Sequence, residues 1–238
     1  MEKLDQLHKQ LDIEKVKPQY LTFLLMLYVT FSLIGCAVLY KIVKIDFLVG
    51  PGGILSLPFV LLLEDIIAEI YGYKISRALL WYILLSQLIF TSFVLIIINM
   101  PSPTYWHAND AYQTVFGSLL KGVPTMIIAI FLGRFLNLYT ITKLKILTKG
   151  RYFWLRMIFA CLVGDLVTLT IIYSIAFSAL SFDEISRLYL SDLFTRIFYS
   201  ILGGGPAMLL VMYIKKKEGI DVYDYGTNFN PFRLSLEK

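Results

Sequence analysis

Residues 57–77, LPFVLLLEDIIAEIYGYKISR, run seven mostly apolar residues straight into Glu64, Asp65 and Glu69. The apolar run demands an environment without water, and the three carboxylates forbid one that is apolar throughout. If a helix extends from residue 53 to 71, a rise of about 1.5 Å per residue sets Asp65 roughly 18 Å from one end of a hydrocarbon layer about 30 Å thick. Asp65 and Glu69 are four apart and share a face, whereas Glu64 points about 100° away. A carboxylate at mid-bilayer costs several kcal/mol unless it faces protein or water, so the stretch reads as a solute or ion site. The plainer alternative is a shallower helix whose acids mark its cytoplasmic end. Tyr71, Tyr73, Lys74 and Arg77 argue against it, because they already form an interfacial anchor further along.

The rest of the chain supports a membrane setting. Of 238 residues, 58% are hydrophobic and 16% charged, well below the roughly 25% charged residues of a soluble domain. The opening segment is charged and has no apolar run, so no cleavable signal is expected. Leu4, Leu7 and Leu11 fall on one helical face, which suggests that residues 1–19 form an amphipathic helix on the membrane surface, ended by Pro18. Apolar spans follow at about 21–40, 53–71, 78–100, 114–136, 153–180 and 188–214, giving an all-α integral membrane protein with a six-helix bundle over residues 20–214. Residues 215–238 form a polar tail. Lys and Arg sort to one side of this arrangement, 17 against 3 (Lys41, Lys44 and Arg187), with Arg134 counted in a basic loop at 141–156. The positive-inside rule then places both termini in the cytoplasm and the chain in a bacterial-type inner membrane.

The spans hold Glu64, Asp65, Glu69, Lys121, Asp165, Asp192 and Arg196. Such residues persist in lipid only when paired or solvated in a cavity. Asp192 and Arg196, four apart, can neutralise each other on one helix or can meet a ligand. Lys121 has no acid on its own helix and needs a partner across the bundle. The run Gly203-Gly204-Gly205-Pro206 suggests a broken or closely packed helix beside a transport site. Cys36 and Cys161 read as small buried residues, and His8 and His107 are too far apart for metal ligation. No Gly-rich phosphate loop with its Lys is present, so neither a cofactor nor ATP hydrolysis is expected of this chain.

The string SLPFVLLLEDIIAEIYGYKISRAL, the spacing from Lys121 to Gly133, the segment from Gly164-Asp165 to Phe177, the Asp192/Arg196 pair and the tail DVYDYGTNFNPF together resemble the queuosine precursor transporter family, also called a vitamin-uptake-type transporter family. The resemblance covers nearly the whole chain from the second span onward. It implies import of 7-cyano-7-deazaguanine and 7-aminomethyl-7-deazaguanine for tRNA modification, with no enzymatic activity. It matches Asp65 to the family's acid in the second helix, Lys121 to its basic residue in the fourth and Arg196 to its basic residue in the sixth. The chain departs from the family at Gly133-Arg134 and Asn137, where many members show Gly-Gln and then Asp, and at Asp165-Leu166-Val167-Thr168, where they show Asn-x-x-Asp.

The candidate substrate-binding residues are therefore Asp65, Glu69, Lys121, Asp165, Asp192 and Arg196. A deazaguanine presents two adjacent donors on its pyrimidine edge, which one carboxylate accepts bidentately, and a buried Lys or Arg suits its carbonyl oxygen. The expected partners are a small purine-like solute and the bilayer, with no nucleic acid and with a homodimer left open. Two alternatives remain: a substrate-binding subunit of an ATP-driven vitamin uptake complex, or a proton-coupled transporter of another small polar solute. An intramembrane protease is disfavoured, since the Tyr-Asp partner of a Gly-Asp motif occurs only as Tyr223-Asp224 in the tail.

Overall fold

A computed structural model describes residues 18–38, 41–45, 48–117, 119–175, 177–178 and 180–233. The amphipathic segment expected at 1–19 falls almost wholly outside them, and so does the side chain of Lys121. In chain order the elements are α1 (Gln19–Ala37), β1 (Ile42–Ile45), β2 (Leu48–Pro51), a 3-10 turn (Gly52–Leu55), α2 (Leu57–Ile98), α3 (Asn109–Phe116), α4 (Leu119–Leu147), α5 (Phe153–Ile175) and α6 (Phe182–Glu218). Five helices are long and apolar enough to cross a membrane: α1, α2, α4 from Ile127, α5 and α6. Their outward faces carry large apolar side chains such as Phe23, Met26, Phe93, Ile97, Leu202 and Leu209, the reverse of a soluble bundle and the surface that lipid requires. The short β1/β2 hairpin, with Ile42 opposite Pro51, occupies the connection expected as a loop and is a small addition to an otherwise helical fold.

Helix α2 has 42 residues. Straight, it would extend about 63 Å, twice the hydrocarbon thickness. It is not straight: Gly72 leaves the helical region at φ 81°, ψ 178°, a conformation open to glycine because it lacks a Cβ. Contacts with α1 give the direction of each limb. Tyr28 meets Glu64 and Gly35 lies against Ser56, whereas Ser32 meets Gln87 and Cys36 meets Thr91. The first limb therefore runs against α1 and the second alongside it, so the chain reverses at Gly72. The second and third expected spans are joined by this one residue rather than by a loop, and Arg77, expected at an interface, is buried.

Helix α4 also departs from expectation. It continues to Leu147, eleven residues beyond the expected end, and the basic loop shrinks to a turn at residues 148–152 in which Lys149, Gly150 and Tyr152 have positive φ. Arg134, Lys145 and Arg156, expected in or beside that loop, are all buried. Helices α4 and α5 touch backbone to backbone: a β-carbon on Gly133 would overlap Thr168, and one on Gly164 would sit 2.7 Å from the Gly133 carbonyl. This small-residue contact, of the kind common between membrane helices, sits beside Arg134 and Asp165. Helix α6 starts with a Ser181/Glu184 capping box and runs unbroken through Pro206. Its glycine run serves close packing, since β-carbons on Gly203 and Gly204 would overlap Leu62 and Trp154.

After Gly219, in the left-handed conformation usual at a helix end, the tail packs back onto the bundle. The Val222 amide donates to the Ile70 carbonyl (3.1 Å), and the Tyr73 amide donates to Asp224 Oδ2 (2.9 Å), so the tail fills the Gly72 reversal. Further on, Tyr73, Arg77 and Trp81 donate to carbonyls at residues 228–231. The Tyr20 amide donates to Glu218 Oε1 (2.8 Å) and Gly150 lies against Tyr223. The start of α1, the reversal, the 148–152 turn and the tail thus share one end of the molecule.

Candidate functional site

Two charged layers lie at different depths between the helices. The deeper one, away from the tail, begins at Glu64, whose Oε2 accepts from Arg134 Nε (2.8 Å), Arg134 Nη2 (2.5 Å) and the Tyr28 hydroxyl (3.2 Å). Arg134 Nη1 stands 3.8 Å from Asp165 Oδ1. That same oxygen accepts from Arg196 Nη1 (2.9 Å), and Arg196 Nε donates to Asp192 Oδ1 (3.0 Å). Tyr173 ends the chain at Asp192 Oδ2 (3.5 Å). Arg134 and Arg196 are both 8% exposed or less. Guanidinium is the right cation for such a place, because its planar fork spans two carboxylates and it keeps its charge when buried.

Arg134 and Arg196, with Asp192, form part of the wall of a cavity with about 1140 Å³ of empty space counted out to its mouth. Tyr28, Phe31, Tyr173 and Phe177 supply rings to the wall, and Ser32, Gln87, Thr125 and Thr168 supply neutral polar groups. Gln87 is fixed by its bond to Ser32 (2.7 Å). A cavity of mostly apolar surface with a few placed polar groups suits a flat, small polar solute. Inside this layer, Glu64 Oε1 and Arg134 Nη1 are buried without a hydrogen-bond partner.

The second layer lies nearer the tail. Glu69 Oε2 accepts from Arg156 Nη1 (2.8 Å) and Oε1 from Lys215 Nζ (2.7 Å). Lys145 Nζ donates to the Glu69 carbonyl (2.5 Å), Asp221 Oδ1 (2.7 Å) and the Val222 carbonyl (2.6 Å). In the tail, burial pushes the Asp221 carboxyl up, but the adjacent Lys145 and Lys215 outweigh it and hold the group below the usual range; burial leaves Asp224 above it. This layer ties α2, α4, α5, α6 and the tail together and closes the end of the bundle opposite the cavity mouth.

The six candidate residues thus separate. Asp192 and Arg196 line the cavity, and Asp165 stands behind them holding Arg196. Asp65 and Glu69 do not line it: Asp65 lies between α2, α4 and α5, and Glu69 belongs to the tail-side layer. Thr125, one turn beyond Lys121, lines the cavity. Sequence reasoning missed Arg134, which it counted as a surface charge, and Tyr28, Gln87 and Tyr173, which carry no signal beyond being polar within apolar spans. The one available signal for Arg134 was its place directly after Gly133, a residue small enough to bring two helices together.

Comparison with curated proteins and with solved structures returns no match. A family model described as "Putative vitamin uptake transporter" matches residues 51–211, which include α2, α4, α5, most of α6 and every charged residue of the cavity layer. With well over half of its length so matched, and with apolar helices enclosing a polar cavity, this multi-pass membrane chain belongs to the vitamin uptake transporter family.

Proposed function

We propose that the chain imports queuosine precursors, 7-cyano-7-deazaguanine and 7-aminomethyl-7-deazaguanine, through the cavity between α1, α2, α4, α5 and α6. The observation that carries this reading is a cavity lined both by aromatic rings and by two fixed guanidiniums next to a carboxylate. Tyr28, Phe31, Tyr173 and Phe177 offer faces on which a fused heterocycle stacks. Asp192 offers a carboxylate to the adjacent N–H donors of a guanine-like edge, and Arg134 or Arg196 offers donors to its carbonyl oxygen. Asp165 sets the position of both arginines, and Lys121 approaches the site from the start of α4. With the reversal at Gly72 counted as two crossings, the chain crosses the inner membrane six times, and both termini lie on the tail side, which is the cytoplasm. The cavity then faces outward and the Glu69 layer closes the cytoplasmic side. The experiment is uptake of labelled deazaguanines by cells unable to make them. Expression of this chain should restore accumulation, Asp192→Asn and Arg196→Lys should reduce it at least about tenfold for loss of a charge-assisted contact, and no accumulation with the wild-type chain present overturns the reading.

A further inference from the structure

We propose that Asp65 carries a proton in this conformation and gives it up on the tail side during the transport cycle, so that uptake is driven by the proton gradient. The inference rests on the uptake reading above and adds its energy source. Asp65 is completely buried. Its Oδ1 accepts from Asn137 Nδ2 (2.9 Å) and its Oδ2 lies 3.2 Å from Cys161 Sγ. Neither partner is a cation, and among the described residues no Lys or Arg forms an ion pair with it.

The groups around Asp65 account for their own charges and leave none for it. From α1, Tyr28 reaches Glu64; on α2, Glu64 precedes Asp65 and Glu69 follows one turn later. Helix α4 presents Arg134, which Glu64 occupies and Asp165 approaches. Helix α5 presents Cys161 and Asp165, and α6 presents Arg196, taken by Asp165 and Asp192, and Lys215, taken by Glu69 and Asp221. Among the described residues, four carboxyls, Glu64, Asp65, Asp165 and Asp192, share two guanidiniums. An unpaired carboxylate in a low-dielectric interior is costly enough that the group takes up a proton instead. Asp65 is the one of the four with no cation, and the contact with Cys161 serves both states: the thiol donates to the carboxylate, and the protonated Oδ2 donates to the sulfur, a weak acceptor. The orphaned Glu64 Oε1 on the neighbouring residue is a second buried acceptor that a mobile proton can visit.

The balance is simple. A proton leaves water in the cavity and binds an Asp65 oxygen. After the tail-side layer opens, the same proton leaves to water on that side, and Asp65 returns ionised or exchanges with the next proton. One proton per solute allows a solute ratio of about tenfold per pH unit of gradient.

Two measurements test this. Infrared difference spectra of the ligand-free protein in lipid at neutral pH should show the carbonyl band of a protonated carboxylic acid that Asp65→Asn lacks; absence of that band overturns the proposal. In proteoliposomes with an inside-alkaline gradient of one pH unit, wild-type protein should accumulate labelled 7-cyano-7-deazaguanine about tenfold. The ratio of uptake with and without the gradient should fall to about one in Asp65→Asn, and a variant that keeps the wild-type ratio refutes the coupling. If the wild-type protein carries no deazaguanine, the uptake reading fails by itself, and the infrared band still decides whether Asp65 holds the proton.

Discussion

Replacing Arg134 with Met removes the only cation within 4 Å of Glu64 among the described residues while keeping most of the side-chain volume. Glu64 then loses two charge-assisted bonds, at 2.8 and 2.5 Å, and Asp165 loses one of its two nearby guanidiniums. Breaking a buried pair from one side leaves an uncompensated charge and costs about 3–5 kcal/mol. For a chain of this size each kcal/mol moves the thermal midpoint by about 2–4 °C, so the variant should unfold roughly 6–20 °C lower. The assay is Trp fluorescence during heating in a fixed detergent, since Trp81 and Trp154 are packed against neighbouring helices. The double variant Glu64→Gln/Arg134→Met should recover at least half of the loss, because it removes the orphaned charge along with its partner. An Arg134→Met protein with an unchanged midpoint, or a double variant less stable than the single, would refute the reasoning that the pair is held by charge compensation.

Three further expectations follow from other parts of the fold. Gly72→Ala should lower the midpoint by several degrees, since φ +81° is strained for any Cβ and the added atom would meet Val222 and Asp224, whereas Gly205→Ala, with nothing within 4 Å, should be neutral or slightly stabilising. The Asp221 carboxyl is held below its ordinary value in the folded chain by Lys145 and Lys215, so its contribution is present above about pH 4 and is lost as the pH falls through the lowered value; Asp221→Asn should flatten that part of the stability curve measured from pH 6 to 3. Single cysteines at His107 and Lys216, introduced without Cys36 and Cys161, should differ in intact cells, with position 107 reacting with an impermeant thiol reagent and position 216 protected; labelling at 216 from outside reverses the orientation.

What could be read from the sequence was whatever one helix displays by itself. The apolar runs, the depth of Glu64 and Asp65, and the i,i+4 placement of Asp192 and Arg196 are properties of single segments, and the structure places those residues as such reasoning expects. The position of Arg134 was not legible, because its partner Glu64 lies 70 residues earlier and nothing in a local window shows that pairing. For the same reason helix α4 was cut short at residue 136: Asn137, Thr142 and Lys145 look like a polar loop until Asp65, Glu69 and the tail are set beside them. Gly72 could be seen as a break but not as a full reversal, since that depends on what fills the inside of the bend. The six candidate site residues were chosen by charge alone, which does not separate those facing a cavity from those closing an end.

Residues 220–233 come after every long helix in chain order, yet they fill the reversal between the two limbs of α2 and cap Lys145. During synthesis the helices must therefore enter the bilayer and find one another while this end is still unsealed, with Lys145 and the Tyr73 amide hydrated. Completion of the fold is a late event, triggered when the tail emerges and displaces that water. A ribosome stalled before residue 220 would leave a bundle that is inserted but open at one end, a form that quality-control proteases can recognise by its exposed lysine and free backbone groups.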